Sequence, residues 1–143
     1  PRSEDNDFNS RIRANGGKVY MAADIQTTYY CRDTVKGLLK QAVKNGNALF
    51  LTLRKNPSAM RVRHYIPFIF VLSLLVGSLL GVFVLFIRWA LAAEGVLYVG
   101  MDILFSLTNG KKNHFVYKFF IYPLFHISYG IGSFIGLLNI RLY

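Results

Sequence analysis

Two acids, Glu4 and Asp5, follow the polar Ser3 at the head of a short helical pattern in which Phe8 and Ile12 stand four apart. Ser3 can cap such a helix, and acids suit its positive end. Gly16-Gly17 supplies the left-handed stop. A carboxylate pair at a helix N-terminus beside a strand edge is where a general base can face a pocket. Acids in a first turn also simply answer the macrodipole, and the residues alone leave both readings open. Further on, Gln41 and Lys44 sit three apart and share a helix face. That face is either a binding surface or a solvated one.

The elements that position these residues follow from local pattern. Residues 18–23 read as a strand, Asp24 as a turn, and 25–30, rich in β-branched and aromatic residues, as a second strand. Asp33 or Thr34 caps a helix with Val35, Leu38, Leu39, Ala42 and Val43 on one side and a basic row of Lys36, Lys40 and Lys44. Gly46 is expected to end it. Residues 47–54 give another short amphipathic piece, stopped by Pro57.

The remainder is a membrane sequence. Hydrophobic residues make up 53% of the 143 and aromatics 15%, concentrated in the second half. Residues 66–87 run without a charge, and at 1.5 Å per residue they span roughly 33 Å, enough to cross a bilayer. Gly77 and Gly81 form a Gly-x-x-x-Gly pattern there, read as a helix contact or as plain tolerance of glycine. Arg88 and Trp89 mark the far interface. Second and third crossings are expected at 90–108 and 115–138, the second interrupted by Glu94 and Asp102, the third carrying Pro123 and His126. Asn109 to Asn113 is the loop between them. The net charge of +10 falls mainly before residue 66. With so apolar a second half, that charge points to membrane lipid and anionic diphosphates rather than nucleic acid. Cys31 stands alone, which excludes an internal disulfide and argues against a Cys-rich zinc site. Basic residues ahead of the first crossing and between the second and third put the N-terminal part in the cytoplasm.

The run Glu4-Asp5-x-x-Phe8-x-x-Arg11-Ile12-x-x-x-Gly16-Gly17-Lys18-Val19 resembles the Glu-Asp segment of membrane-bound family 2 glycosyltransferases. Tyr29-Tyr30-Cys31-Arg32, followed by the helix with Gln41 and Lys44, resembles that family's tyrosine strand and its Gln-x-x-Arg-aromatic motif. Lys44 replaces the Arg and loses its planar fork, and Asn45 replaces the aromatic residue. Residues 123–132 are similar to the tail of succinoglycan-type members. The resemblance implies a remnant of an α/β GT-A (nucleotide-diphospho-sugar transferase) domain over 1–56, a basic juxtamembrane linker at 57–65, and an all-α transmembrane bundle of about three helices over 66–143.

It also implies the chemistry: inverting transfer of one sugar from a nucleotide sugar to a lipid-linked or polysaccharide acceptor at the inner (plasma) membrane. Asp5, beside Glu4, would be the general base. Arg11, Gln41 and Lys44 would hold acceptor and diphosphate. A divalent metal, Mg or Mn, would rest mostly on ligands from the family's upstream half, and this chain by itself is expected to be inactive. Two other readings remain: a small ion- or proton-coupled transport protein using Glu94, Asp102 and His126, and a non-catalytic membrane anchor whose basic helix lies on anionic lipid.

Overall fold

The computed structural model describes residues 4–20, 22–109 and 114–142. It is helical throughout, with α1 at Glu4–Ala14, α2 at Val35–Lys55, α3 at Ile66–Gly81, α4 at Leu85–Thr108 and α5 at Phe115–Leu137. Two single 3₁₀ turns, Pro57–Ala59 and Val62–His64, join α2 to α3.

No strand occurs among the described residues, which overturns the expected α/β remnant. Residues 18–20 and 22–33 are irregular backbone, and Tyr20, Ile25, Tyr29 and Tyr30 stand exposed. The local propensity for strand is real, but a strand needs a partner edge, and no other described segment offers one.

The short helix α1 keeps its expected bounds. Glu4, Asp5 and Asp7 occupy its first turn, and Arg11 and Arg13 its last. Gly16 turns left-handed at φ +77. Its N–H reaches the Arg13 carbonyl at 3.0 Å, and that of Gly17 reaches Ile12 at 2.9 Å. This pair of bonds is a Schellman stop. The Ser3 cap and most of the 109–113 loop lie outside the described residues.

Thr34 caps α2, its hydroxyl oxygen accepting the Gly37 N–H at 3.1 Å. The helix then runs past Gly46 to Lys55, so the expected stop at Gly46 and the separate piece at 47–54 are corrected. Gly46 is buried because α5 crosses there: a Cβ at Gly46 would strike the Tyr129 carbonyl oxygen. Gly132 and Gly136 likewise meet the carbonyls of Val43 and Asn47. Small residues on both helices let the two backbones touch, as membrane helices do. The helix assigned to the GT-A remnant is therefore packed on a helix long and apolar enough to cross a membrane.

The uncharged run at 66–87 is not one crossing. Helix α3 stops at Gly81 after 16 residues, and residues 85–87 open α4. The chain reverses at Val82–Val84, where the N–H groups of Phe83 and Val84 both reach the Leu80 carbonyl. Arg88 reaches back to close the end of α3, Nε donating to the Gly81 carbonyl at 2.5 Å and Nη2 to that of Val82 at 3.0 Å. Carbonyls left without partners at a helix end are thereby satisfied. Gly77 lets Leu91 of α4 approach, so the Gly-x-x-x-Gly pattern does serve a helix contact.

Helices α4 and α5, of 24 and 23 residues, are long and apolar enough to cross a membrane, whereas α3 is shorter. Most of their apolar side chains point outward, with Leu97, Val96 and Phe120 exposed. That distribution suits lipid and not the core of a water-soluble protein. Pro123 lies inside α5 without ending it.

Candidate functional site

The residues singled out for chemistry separate into three places. Glu4 and Asp5 are exposed on α1. This helix docks through polar contacts: Asn56 Nδ2 donates to Asp7 Oδ1 at 2.8 Å, and the Ser10 and Ser58 hydroxyls meet at 2.6 Å. Arg11 turns to Asp7, at 3.4 Å, one helical turn away. Asn56 ends α2, and Lys44 lies twelve residues upstream. At the helical rise, that is about 18 Å along the axis. Asp5 is therefore not brought together with Gln41 and Lys44.

Lys44 instead joins a different group. With Lys40, Val43, Arg141 and Leu142 it lines an open recess of about 370 Å³. Lys40 and Lys44 are one turn apart on α2. Arg141 arrives from the other end of the chain because residues 138–142 fold back along α2. Asn47 Nδ2 donates to the Ile140 carbonyl at 2.7 Å, and Asn47 Oδ1 accepts the Leu142 N–H at 3.2 Å. Arg54 donates to Asn139 Oδ1 at 2.8 Å and to the Leu137 carbonyl at 2.5 Å. Asn139 makes the turn at φ +62, a conformation asparagine tolerates well.

The lining residues include three cations, Lys40, Lys44 and Arg141, and no carboxylate, and the wall they form is mostly apolar. Such a recess suits an anion carried on an apolar chain, the head group held by charge and the first part of the tail by Val43 and Leu142. The basic row on α2 was visible in sequence. Arg141 was not, because nothing within a few residues of it signals contact with a helix nearly a hundred positions earlier.

Residues of the transport reading lie on α4 and α5. Glu94 Oε1 accepts the Ser73 hydroxyl of α3 at 2.6 Å. The Tyr98 hydroxyl meets His126 Nδ1 at 2.8 Å, and Phe70 stacks on the Tyr98 ring at 4.4 Å. Asp102 is buried one turn beyond Tyr98. Among the described residues no three His, Cys, Asp or Glu side chains converge as a metal centre requires.

No family model matches the chain, and no solved structure matches it. It is similar to a glycosyltransferase that works on a lipid-linked sugar phosphate. That relative is the dolichyl N-acetyl-alpha-D-glucosaminyl phosphate 3-beta-D-2,3-diacetamido-2,3-dideoxy-beta-D-glucuronosyltransferase of Methanococcus voltae, 29% identical over 113 residues. The match covers 73% of this chain and 35% of the relative, so the chain spans about a third of that protein's length.

Proposed function

We propose that this chain is the membrane-embedded part of a glycosyltransferase, and that its recess holds the phosphate of a lipid-linked acceptor. The recess of Lys40, Lys44 and Arg141 carries this reading. A dolichyl-type phosphate offers what the lining asks for, a compact anion on an apolar tail, and the similarity to a transferase named for such an acceptor points the same way. The basic residues Arg54 and Lys55 at the end of α2, with Arg61 and Arg63 ahead of α3, support a cytoplasmic position for the recess in this reading. A nucleotide sugar is the donor in this reading, as in the family 2 enzymes the sequence resembles.

The residues act here by binding and orienting. Lys40 and Arg141 flank the anion from two chain segments, and Lys44 adds a third charge. Asp5 takes the acceptor proton only if the sugar hydroxyl reaches it. The separation of about 18 Å along α2 is longer than one sugar ring. Joining base and recess therefore requires an acceptor of more than one sugar, or movement of α1 on the irregular segment that follows it.

Native mass spectrometry of the detergent-solubilised chain tests the recess. Dolichyl phosphate should be retained and unphosphorylated dolichol should not. Each of Lys40→Gln, Lys44→Gln and Arg141→Gln should weaken retention about fivefold, at about 1 kcal/mol per cation near a charged lipid surface. Equal retention of both lipids, or no effect of the triple substitution, would refute the assignment.

A further inference from the structure

The reversal between α3 and α4 is made by Val82, Phe83 and Val84. Turns usually draw on Gly, Pro, Asn, Asp or Ser and run over a wet surface. This one has no polar side chain. Phe83 is 81% exposed and Phe86 79%, and Val82, Leu85 and Trp89 are exposed with them. Helix α5 meets α3 at its other end, Gly130 against Pro67 and Val71, and Phe134 against Phe68 at 4.9 Å between ring centroids.

The backbone of the turn is closed by the chain itself. The Leu80 carbonyl accepts the N–H groups of Phe83 and Val84, and the Val84 carbonyl accepts that of Ile87 at 3.1 Å. Arg88 supplies the carbonyls of Gly81 and Val82 between them. An aqueous turn could leave these four oxygens to water. Hydrocarbon allows no such economy, because an unpaired backbone group finds no partner there. The Arg88 charge lies against the negative end of α3, as an intramembrane cation must lie against protein.

Length points the same way. Helix α3 has 16 residues, roughly 24 Å at the helical rise, short of a hydrocarbon core of about 30 Å. It packs on α4 in the opposite direction, with Gly77 beside Leu91, Ser73 bonded to Glu94 and Phe70 stacked on Tyr98. The open end of this hairpin is the charged one. Arg61, Arg63 and His64 lead into α3, and Lys111 and Lys112 follow α4 in the sequence. A far interface at Arg88 and Trp89, as expected from sequence, would leave Val82, Phe83 and Phe86 in water one turn beyond it.

We propose that α3 and α4 form a re-entrant hairpin whose tip, residues 82–86, ends among the acyl chains of the lipid. The hairpin enters and leaves by one face of the membrane, and Arg88 is the clip that lets its turn exist there. The tip is continuous with the lipid-facing side chains of α4, Val96 and Leu97, so lipid is its occupant. This placement rests on the membrane reading of α4 and α5, and not on the recess or the transferase.

The chain holds one tryptophan, Trp89, and one cysteine, Cys31, and both serve as probes. In vesicles, lipids brominated near the acyl-chain ends should quench Trp89 more strongly than lipids brominated near the head group. Iodide on both sides should cause no loss of its emission. In the chain carrying Cys31→Ser and Phe83→Cys, a membrane-impermeant maleimide present on both sides should leave position 83 unlabelled. The exposed Cys31 of the unsubstituted chain should label under the same conditions. If the double variant fails to fold, the Trp89 depth in the unsubstituted chain decides. Strongest quenching from near the head group, or labelling at position 83, would refute re-entry and leave the membrane reading standing. Quenching by iodide with none by any brominated lipid would sink the membrane reading as well. Silence toward both quenchers would mean that protein covers the tip, and would equally overturn the proposal.

Discussion

The contact between α2 and α5 makes a prediction whose sign is unusual for a helix. Replacing glycine by alanine in a helix interior ordinarily stabilises by up to about 1 kcal/mol. At Gly132 the new Cβ would strike the Val43 carbonyl and lie 2.9 Å from the Val43 Cα. Carbon atoms pack best at about 3.5–4.0 Å, so α2 must move off by roughly 1 Å. The obstacle is backbone, which has no rotamer to change. A gap of that size forfeits a quarter to a half of each contact's attraction, and overpacking of this kind costs about 1–3 kcal/mol. After the propensity gain, Gly132→Ala should be destabilising by about 1–2 kcal/mol. Gly95 on α4 is the internal control, since a Cβ there meets nothing within 4 Å. Gly95→Ala should be neutral or stabilising by up to about 1 kcal/mol. Unfolding in mixed micelles of rising dodecyl sulfate fraction, followed by circular dichroism, measures both. If Gly132→Ala resists the detergent as well as Gly95→Ala does, the close α2–α5 contact is wrong.

Two further predictions concern single side chains that close open backbone. Asn47→Ala removes two ties to the folded-back tail, at Ile140 and Leu142, and leaves that of Arg54 to Asn139. It should cost about 1–3 kcal/mol, expose residues 138–142 to carboxypeptidase, and weaken retention of dolichyl phosphate, because Arg141 leaves with the tail. Arg88→Leu strips the Gly81 and Val82 carbonyls of their donor. It should lower resistance to dodecyl sulfate by about 1.5–3 kcal/mol, the value of hydrogen bonds from a charged group. Arg88→Lys, with one point charge in place of a fork, should restore only part of the loss.

What could be read from the sequence was what depends on near neighbours. The stop of α1 at the Gly16-Gly17 pair, the cap at Asp33 or Thr34, the break before Pro57 and the course of α5 are each set within a turn or two of chain. The errors share the opposite property. Hydropathy measures how apolar a run is and not where it reverses, so the turn at Val82–Val84 was invisible until Arg88 was seen reaching back to Gly81. Gly46 carries the same local signal as a helix stop, and only the approach of α5 shows why it stays helical. Residues 18–30 have the side chains of strands, but pairing is a property of two segments. The recess was half legible, as a basic row on α2 that looked like a solvated face until Arg141 closed it.

The packing of α2 also changes what the basic row means. A helix whose Ala42, Gly46 and Leu49 are buried against α5 cannot present its charges freely in any direction. Its position on α5 places Lys40 and Lys44 beside the returning tail. The basic recess is thus a by-product of helix packing: α5 positions α2 through its glycines, and the five residues after α5 carry Arg141 back to it. A loosely attached anchor helix on anionic lipid would need neither the glycine contacts nor the tail clasp at Asn47. Their presence argues for a fixed arrangement of Lys40, Lys44 and Arg141 over a helix that merely adheres to a charged surface.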